Sequence, residues 1–147
     1  LLFTCSAFGP AIEAVARAQP FPVLKPNEAM FDAALAHGTR IGMLATFAPS
    51  VPSMEAEFAE LTALRGLSAQ IETICVPDAM AALRGGDAET HNALLAQAAP
   101  QLGHCDAVML AQFSTARAEP AVAQRLAIPV LTAPNAAVRR LQSALNA

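Results

Sequence analysis

Short apolar runs ending in small or hydroxyl residues alternate along this chain with alanine-rich stretches whose apolar positions recur at helical spacing. That alternation admits few folds. A strand-length run, an amphipathic helix and a second run make a βαβ unit, and several in succession make a parallel sheet clothed by helices. The runs are Leu1–Cys5, Val23–Leu24, Arg40–Ala45, Gln70–Cys75, Ala107–Ala111 and Pro129–Leu131. Helices are predicted over Pro10–Ala18, Asn27–His37, Ser50–Arg65, Asp78–Leu83, Asp87–Leu102, Ala116–Leu126 and Asn135–Leu145. Pro10, Pro120 and Pro134 fall where a first helical turn tolerates a missing N–H, and Gly38, Gly66 and Gly85 fall where helices stop. Asp87 is expected to cap the helix that carries Glu89, His91 and Asn92.

The pattern also repeats. FPVLKPNEAMFDAAL (Phe21–Leu35) echoes IPVLTAPNAAVRRLQSAL (Ile128–Leu145), and the spacing from Cys5 to Pro22 equals that from Gln112 to Pro129. LLFTCSA therefore lies over VMLAQFS. A duplicated α/β unit predicts two similar lobes related by a pseudo-twofold axis. Ligands of open parallel sheets lie at the carboxyl ends of the strands, so Cys5 and Gln112 are expected to face one cleft from opposite sides. The alternative is a chance likeness between two alanine-rich segments.

Composition narrows the function. Hydrophobic residues make up 54% of the 147, but alanine is the commonest of them and their runs are cut by proline and charge, so no run reaches membrane-spanning length. A net charge of −3 without Trp or Tyr offers neither a basic footprint nor the usual base-stacking rings, which argues against nucleic acid. Three cysteines without zinc or C-x-x-C spacing suit a reducing compartment, so a cytoplasmic protein is expected. The chain opens on Leu1 inside a predicted strand, and a preceding segment is expected. The alanine-rich face Ala93–Ala99 would permit a homodimer.

Cys5 ends a predicted strand ahead of a helix, where orphan N–H groups and the helix dipole favour a thiolate. Flanked by Thr4 and Ser6, it is a candidate nucleophile or carbon base; the alternative is a small buried filler. Cys105 precedes its strand and is expected to be structural, and Cys75 has no activating neighbour. Thr46, Ser50 and Ser53 place hydroxyls at a second strand-to-helix turn, a ready cradle for carboxylate or phosphate, although Ser50 could simply cap the helix. Ser114 and Thr115 offer the same pair after the matching strand. Nucleotide, zinc-protease and serine-hydrolase motifs are missing. His37, His91 and His104 are too scattered to predict a metal site and are expected at the surface or at caps, His91 having the most polar surroundings.

Thr4-Cys5-Ser6, the Gly42–Ser53 stretch with Ala45-Thr46, and Asp106–Ser114 together resemble the aspartate/glutamate racemase superfamily, which includes hydantoin racemases, maleate isomerase and arylmalonate decarboxylase. The resemblance implies two flavodoxin-like α/β lobes with parallel sheets, the first incomplete here: residues 1–37 and 128–147 in the first lobe, 38–127 in the second. It also implies a cofactor-independent enzyme, with no metal, acting on a small carboxylate or amino-acid-like substrate. Cys5 resembles the first-lobe catalytic cysteine, and Gln112 stands where the second belongs. Thr4, Ser6, Thr46, Ser50, Ser114 and Thr115 are the expected substrate-binding positions. A carboxamide donates hydrogen bonds but has no proton to exchange near neutral pH. One-base chemistry by Cys5 is therefore expected: racemisation with a borrowed acid such as Ser114, decarboxylation or isomerisation, or else carboxylate binding without turnover.

Overall fold

A computed structural model describes residues 1–3, 9–21, 23–25 and 27–145, the side chains of residues 9, 10 and 145 excepted. Its centre is β1 (Arg40–Ala45), buried from Ile41 onward because it has a strand on each edge and helices on both faces. β2 (Gln70–Cys75) and β3 (Ala107–Leu110) pair with it in parallel, and β4 (Val130–Thr132) pairs with β3, so the order is β2-β1-β3-β4. This is a four-stranded parallel sheet of the flavodoxin-like kind. β2, on the edge, keeps Gln70 and Glu72 exposed.

Side-chain alternation along the strands divides the core. Ile41, Met43, Ala45, Ala107 and Met109 pack with α2 (Glu28–Leu35), α3 (Val51–Leu64) and α7 (Ala133–Leu145). Leu44, Val108 and Leu110 pack on the other face with α4 (Pro77–Arg84), α5 (Ala88–Ala98) and α6 (Glu119–Ala123). Phe31 of α2 and Phe58 of α3 meet edge to face, with ring centroids 5.4 Å apart. Asp32 of α2 holds Arg140 of α7 at 2.7 Å and also pairs with Arg65. Ahead of these elements, α1 covers Gly9–Ala18.

β1 and β2 have the boundaries expected from sequence, while other elements differ for local reasons. The helix expected over Asp87–Leu102 is α5 followed by a 3₁₀ turn at Ala99–Leu102, because Pro100 cannot donate to the α-helical ladder. The helix expected over Ala116–Leu126 is a 3₁₀ segment, Phe113–Ala118, leading into α6 at Glu119. Asp87 does cap α5, accepting from the Thr90 N–H at 2.9 Å. Gly85 caps the end of α4 as expected, and the left-handed residue that follows is Gly86 (φ 85°).

The repeat appears in the strand pairing. Its offset lays Leu2 over Met109 and Leu24 over Leu131; Leu2 bridges Leu24 in parallel, and Met109 pairs with Leu131 in parallel. Of residues 128–147, expected in a first lobe, Val130–Thr132 is hydrogen-bonded to β3. The edge of β3 turned away from β1 presents open ladder groups, and the short crossover through α6 returns the chain to that edge. Among the described residues, no helix is long and apolar enough to cross a membrane.

At the amino end of the sheet Asp106 accepts from the backbone N–H groups of Thr39 (3.0 Å) and Arg40 (2.9 Å) and from the Arg40 guanidinium (2.9 Å). The Arg40 N–H, then its side chain, hold the carboxyl below the ordinary aspartate range. Gly38 leaves the room: a Cβ there would come within 2.3 Å of the carboxylate oxygen, at a φ of 155°. Gly38→Ala is therefore expected to destabilise the fold by about 2 kcal/mol, measured as a lower urea midpoint; an unshifted midpoint would refute the packing argument. Because the folded state binds the Asp106 proton more weakly than the unfolded chain, the stabilisation is complete above about pH 3.9 and is lost as pH falls through the lowered folded value. In an acid titration of the urea midpoint, Asp106→Asn should lose that component of the decline.

Candidate functional site at the carboxyl ends of the central strands

β1 leaves the sheet toward α3 on one face and β3 leaves toward α6 on the other. Adjacent strands whose connections diverge in this way open a crevice at their carboxyl ends. Thr46 follows β1 directly, and the Ala111 N–H continues the ladder to Leu44 O at 2.9 Å, delivering Gln112 to the same level. The Gln112 Oε1 accepts from the Thr46 N–H at 3.2 Å and from the Thr46 hydroxyl at 3.3 Å. Its Nε2 donates to Ser50 Oγ at 2.9 Å, and Ser50 Oγ donates onward to the Phe47 carbonyl at 2.8 Å.

The orientation of the amide follows from the partners. A backbone N–H can only donate, so the oxygen faces Thr46 and the nitrogen faces Ser50. Ser50, its hydroxyl proton committed to Phe47, is then an acceptor. The second Nε2 hydrogen has no partner among the described residues. The pair of donors converging on one sp² oxygen is the arrangement that would hold one oxygen of a carboxylate; here the oxygen is supplied by Gln112.

Thr115 braces this turn from beneath. Fully buried, its hydroxyl donates to Gln112 O at 2.6 Å and accepts from Gln112 N–H at 3.2 Å. Ser114 is exposed. Ser50 makes no cap bond to α3, contrary to the capping alternative, because its oxygen is engaged by Gln112 and Phe47 instead. Thr4, Cys5 and Ser6 lie outside the described residues. Sequence reasoning missed Phe47: its carbonyl anchors Ser50, its ring stands 42% exposed beside the crevice, and a backbone acceptor leaves no trace in residue type.

The other candidates separate from this site. Cys75 ends β2, and burial raises its thiol above the ordinary range. Cys105 is buried at the amino ends of the strands, its thiol raised by burial and then by the Glu72 carboxylate. His37 and His104 are exposed, but His91 is fully buried in α5, with Nδ1 2.9 Å from Asn92 Oδ1, so its expected place at the surface or a cap is corrected. The apolar face of α5 sets that burial: Leu95 and Ala98 lie on the same stripe at helical spacing.

A family model for Asp/Glu/Hydantoin racemase matches residues 1–143. The chain belongs to this family. Among solved structures, the glutamate racemase isoform RacE1 from Bacillus anthracis is similar with a TM-score of 0.72 and 17% identity, over 99% of this chain and 57% of that one. The allantoin racemase AllR from Pseudomonas fluorescens is similar with a TM-score of 0.63 and 19% identity, over 85% of this chain and 53% of that one. At these identities the likeness is one of fold. The chain spans about half the length of these two structures. Comparison with curated proteins gives no match.

The Gln112–Ser50 bond is a measurable coupling. Ser50→Ala and Gln112→Met should each destabilise, and a double-mutant cycle should return an interaction energy of about 0.5–1.5 kcal/mol. Additive effects would mean that the bond contributes nothing to stability.

Proposed function

We propose that this racemase-family chain carries out cofactor-independent proton transfer at the carbon α to a carboxylate, with Cys5 as the proton carrier. The supporting observation is the Thr46 donor pair closing on the Gln112 carboxamide oxygen at the β1–β3 crevice. A substrate carboxylate would take the same N–H and hydroxyl. The role of Cys5 rests on the family and on the repeat, whose offset sets it against Gln112 and agrees with the Leu2–Leu24 and Met109–Leu131 pairings.

In this reading a first lobe, to which the Leu1–Phe3 and Leu24 pair belongs, faces the four-stranded sheet across the cleft. The Cys5 thiolate takes the α proton, or the thiol returns one, while Thr4 and Ser6 border the substrate. Negative charge then grows on the carboxylate or carbonyl oxygens as an enolate forms. The second N–H of Gln112 stabilises that charge by a hydrogen bond arranged beforehand, and the Thr46 N–H and hydroxyl add to it where a substrate oxygen displaces the carboxamide oxygen. Ser50 acts as the acceptor that orients Gln112. Thr115 is a positioning residue, its hydroxyl holding the Gln112 backbone in place.

Gln112 gives the reaction its direction. A carboxamide cannot supply or accept the proton on the face opposite Cys5. Transfer at one face suits decarboxylation followed by stereospecific protonation, or isomerisation; racemisation would require a proton relayed through water from exposed Ser114. Amino acids, hydantoins and arylmalonates are the substrate classes to try. Cys5→Ala should lower solvent-deuterium entry into the accepted substrate by about 10²–10⁴-fold while leaving substrate-induced thermal stabilisation intact. Undiminished exchange would remove Cys5 from the mechanism. Stabilisation by a dicarboxylate with no exchange in the unaltered protein would identify a binding protein instead.

A further inference from the structure

At the opposite end of the sheet, where the strands begin, Glu72, His104 and Cys105 bring a carboxylate oxygen, an imidazole nitrogen and a thiol sulfur within 4.8 Å of one another. We propose that these three side chains form a binding site for a thiophilic divalent transition metal such as Zn²⁺, with water completing the coordination. The site lies apart from the Thr46–Gln112 crevice and owes nothing to the reaction proposed there.

The fold converges the donors from two elements. Glu72 stands on β2, paired in register with Gly42 of β1. His104 and Cys105 occupy the turn that enters β3, on the other side of β1, and the turn is closed by the Cys105 N–H to Leu102 O at 3.0 Å. Gly42 is what lets that turn come down onto the sheet. A Cβ there would approach both Leu102 Cβ and Cδ1 to 3.1 Å, and Leu102 is fully buried. The donors line an open hollow with Arg40 and Gln70, so an ion has a route in.

His104 Nε2 is 2.9 Å from Glu72 Oε2. Both side chains are more than half exposed, so the pair by itself adds little to stability. Ligand atoms of a tetrahedral zinc are about 3.5 Å apart, given bonds of about 2.0–2.3 Å. The present spacing therefore needs only rotation of two exposed side chains to admit the ion. The metal would take the place of the His104–Glu72 hydrogen bond and displace the Cys105 thiol proton to solvent. A sulfur and an imidazole nitrogen select Zn²⁺ or Co²⁺ over Mg²⁺ or Ca²⁺. The nearest positive charge, Arg40, is held by Asp106 at 2.9 Å, and the Asp106 oxygens are engaged by Arg40 and Thr39, which leaves a three-residue donor set.

Titration of the full chain with Co²⁺ under reducing conditions tests this directly. The expected result is one ion per chain, displaced by Zn²⁺ and not by Mg²⁺, with a thiolate-to-cobalt charge-transfer band in the near ultraviolet. Cys105→Ser should abolish the band and weaken binding by more than about tenfold, whereas Cys5→Ser and Cys75→Ser should retain it. His104→Ala, at an exposed position, should fold normally, lose the affinity and lose the Zn²⁺-dependent rise in thermal midpoint. No charge-transfer band, a band that survives Cys105→Ser, or undiminished affinity in His104→Ala would each overturn the proposal.

Discussion

The parallel pairing of β1 with β3 is the constraint on which the rest of the molecule depends. It sets β1 at the centre of the sheet, where helices cover both faces, so that Ile41, Met43 and Ala45 enter one core and Leu44 the other. The same pairing brings Thr46 level with Gln112, because Gly42 through Leu44 are in register with Val108 through Leu110. Parallel strands carry their successors to the same end of a sheet, and connections that diverge to opposite faces leave that end open. The crevice and the core thus have one cause.

At its other end the pairing has different consequences. The carboxylate of Asp106 closes onto the backbone of Thr39 and Arg40, and Gly38 makes room for it. One residue earlier, Cys105 turns into the core while His104 reaches Glu72 across β1. A chain crossing from surface to core within two residues sets a soft buried donor beside an exposed nitrogen donor. That contrast is the physical basis for a metal site there.

Gln112 gives the β1–β3 crevice a chemically specific character. Its oxygen occupies a pair of donors suited to an anion, and its nitrogen is held by a serine whose own proton is directed elsewhere. The group is neutral, fully oriented and without an exchangeable proton. A site built around it can stabilise charge but must obtain its proton transfers from another residue.

Much of the fold was legible in residue order. β1 and β2 were readable because central and edge strands impose distinct periodicities, RIGMLA nearly continuous and QIETIC alternating. The repeated spacing was legible too, and Leu2 with Leu24 and Met109 with Leu131 pair at its offset. Thr46, Ser50 and Gln112 were nameable as residues, but their roles were not. Whether Ser50 caps a helix or receives an amide depends on which donor arrives from 62 residues away, and local spacing is blind to that. The partner of β4, the burial of His91 and the meeting of Glu72 with Cys105 likewise depend on which surfaces come together. Sequence determined the periodicities and the chemical inventory, because these are local properties of the chain. Tertiary structure alone decided which donors face which acceptors, because hydrogen bonds and coordination sites depend on distances in space.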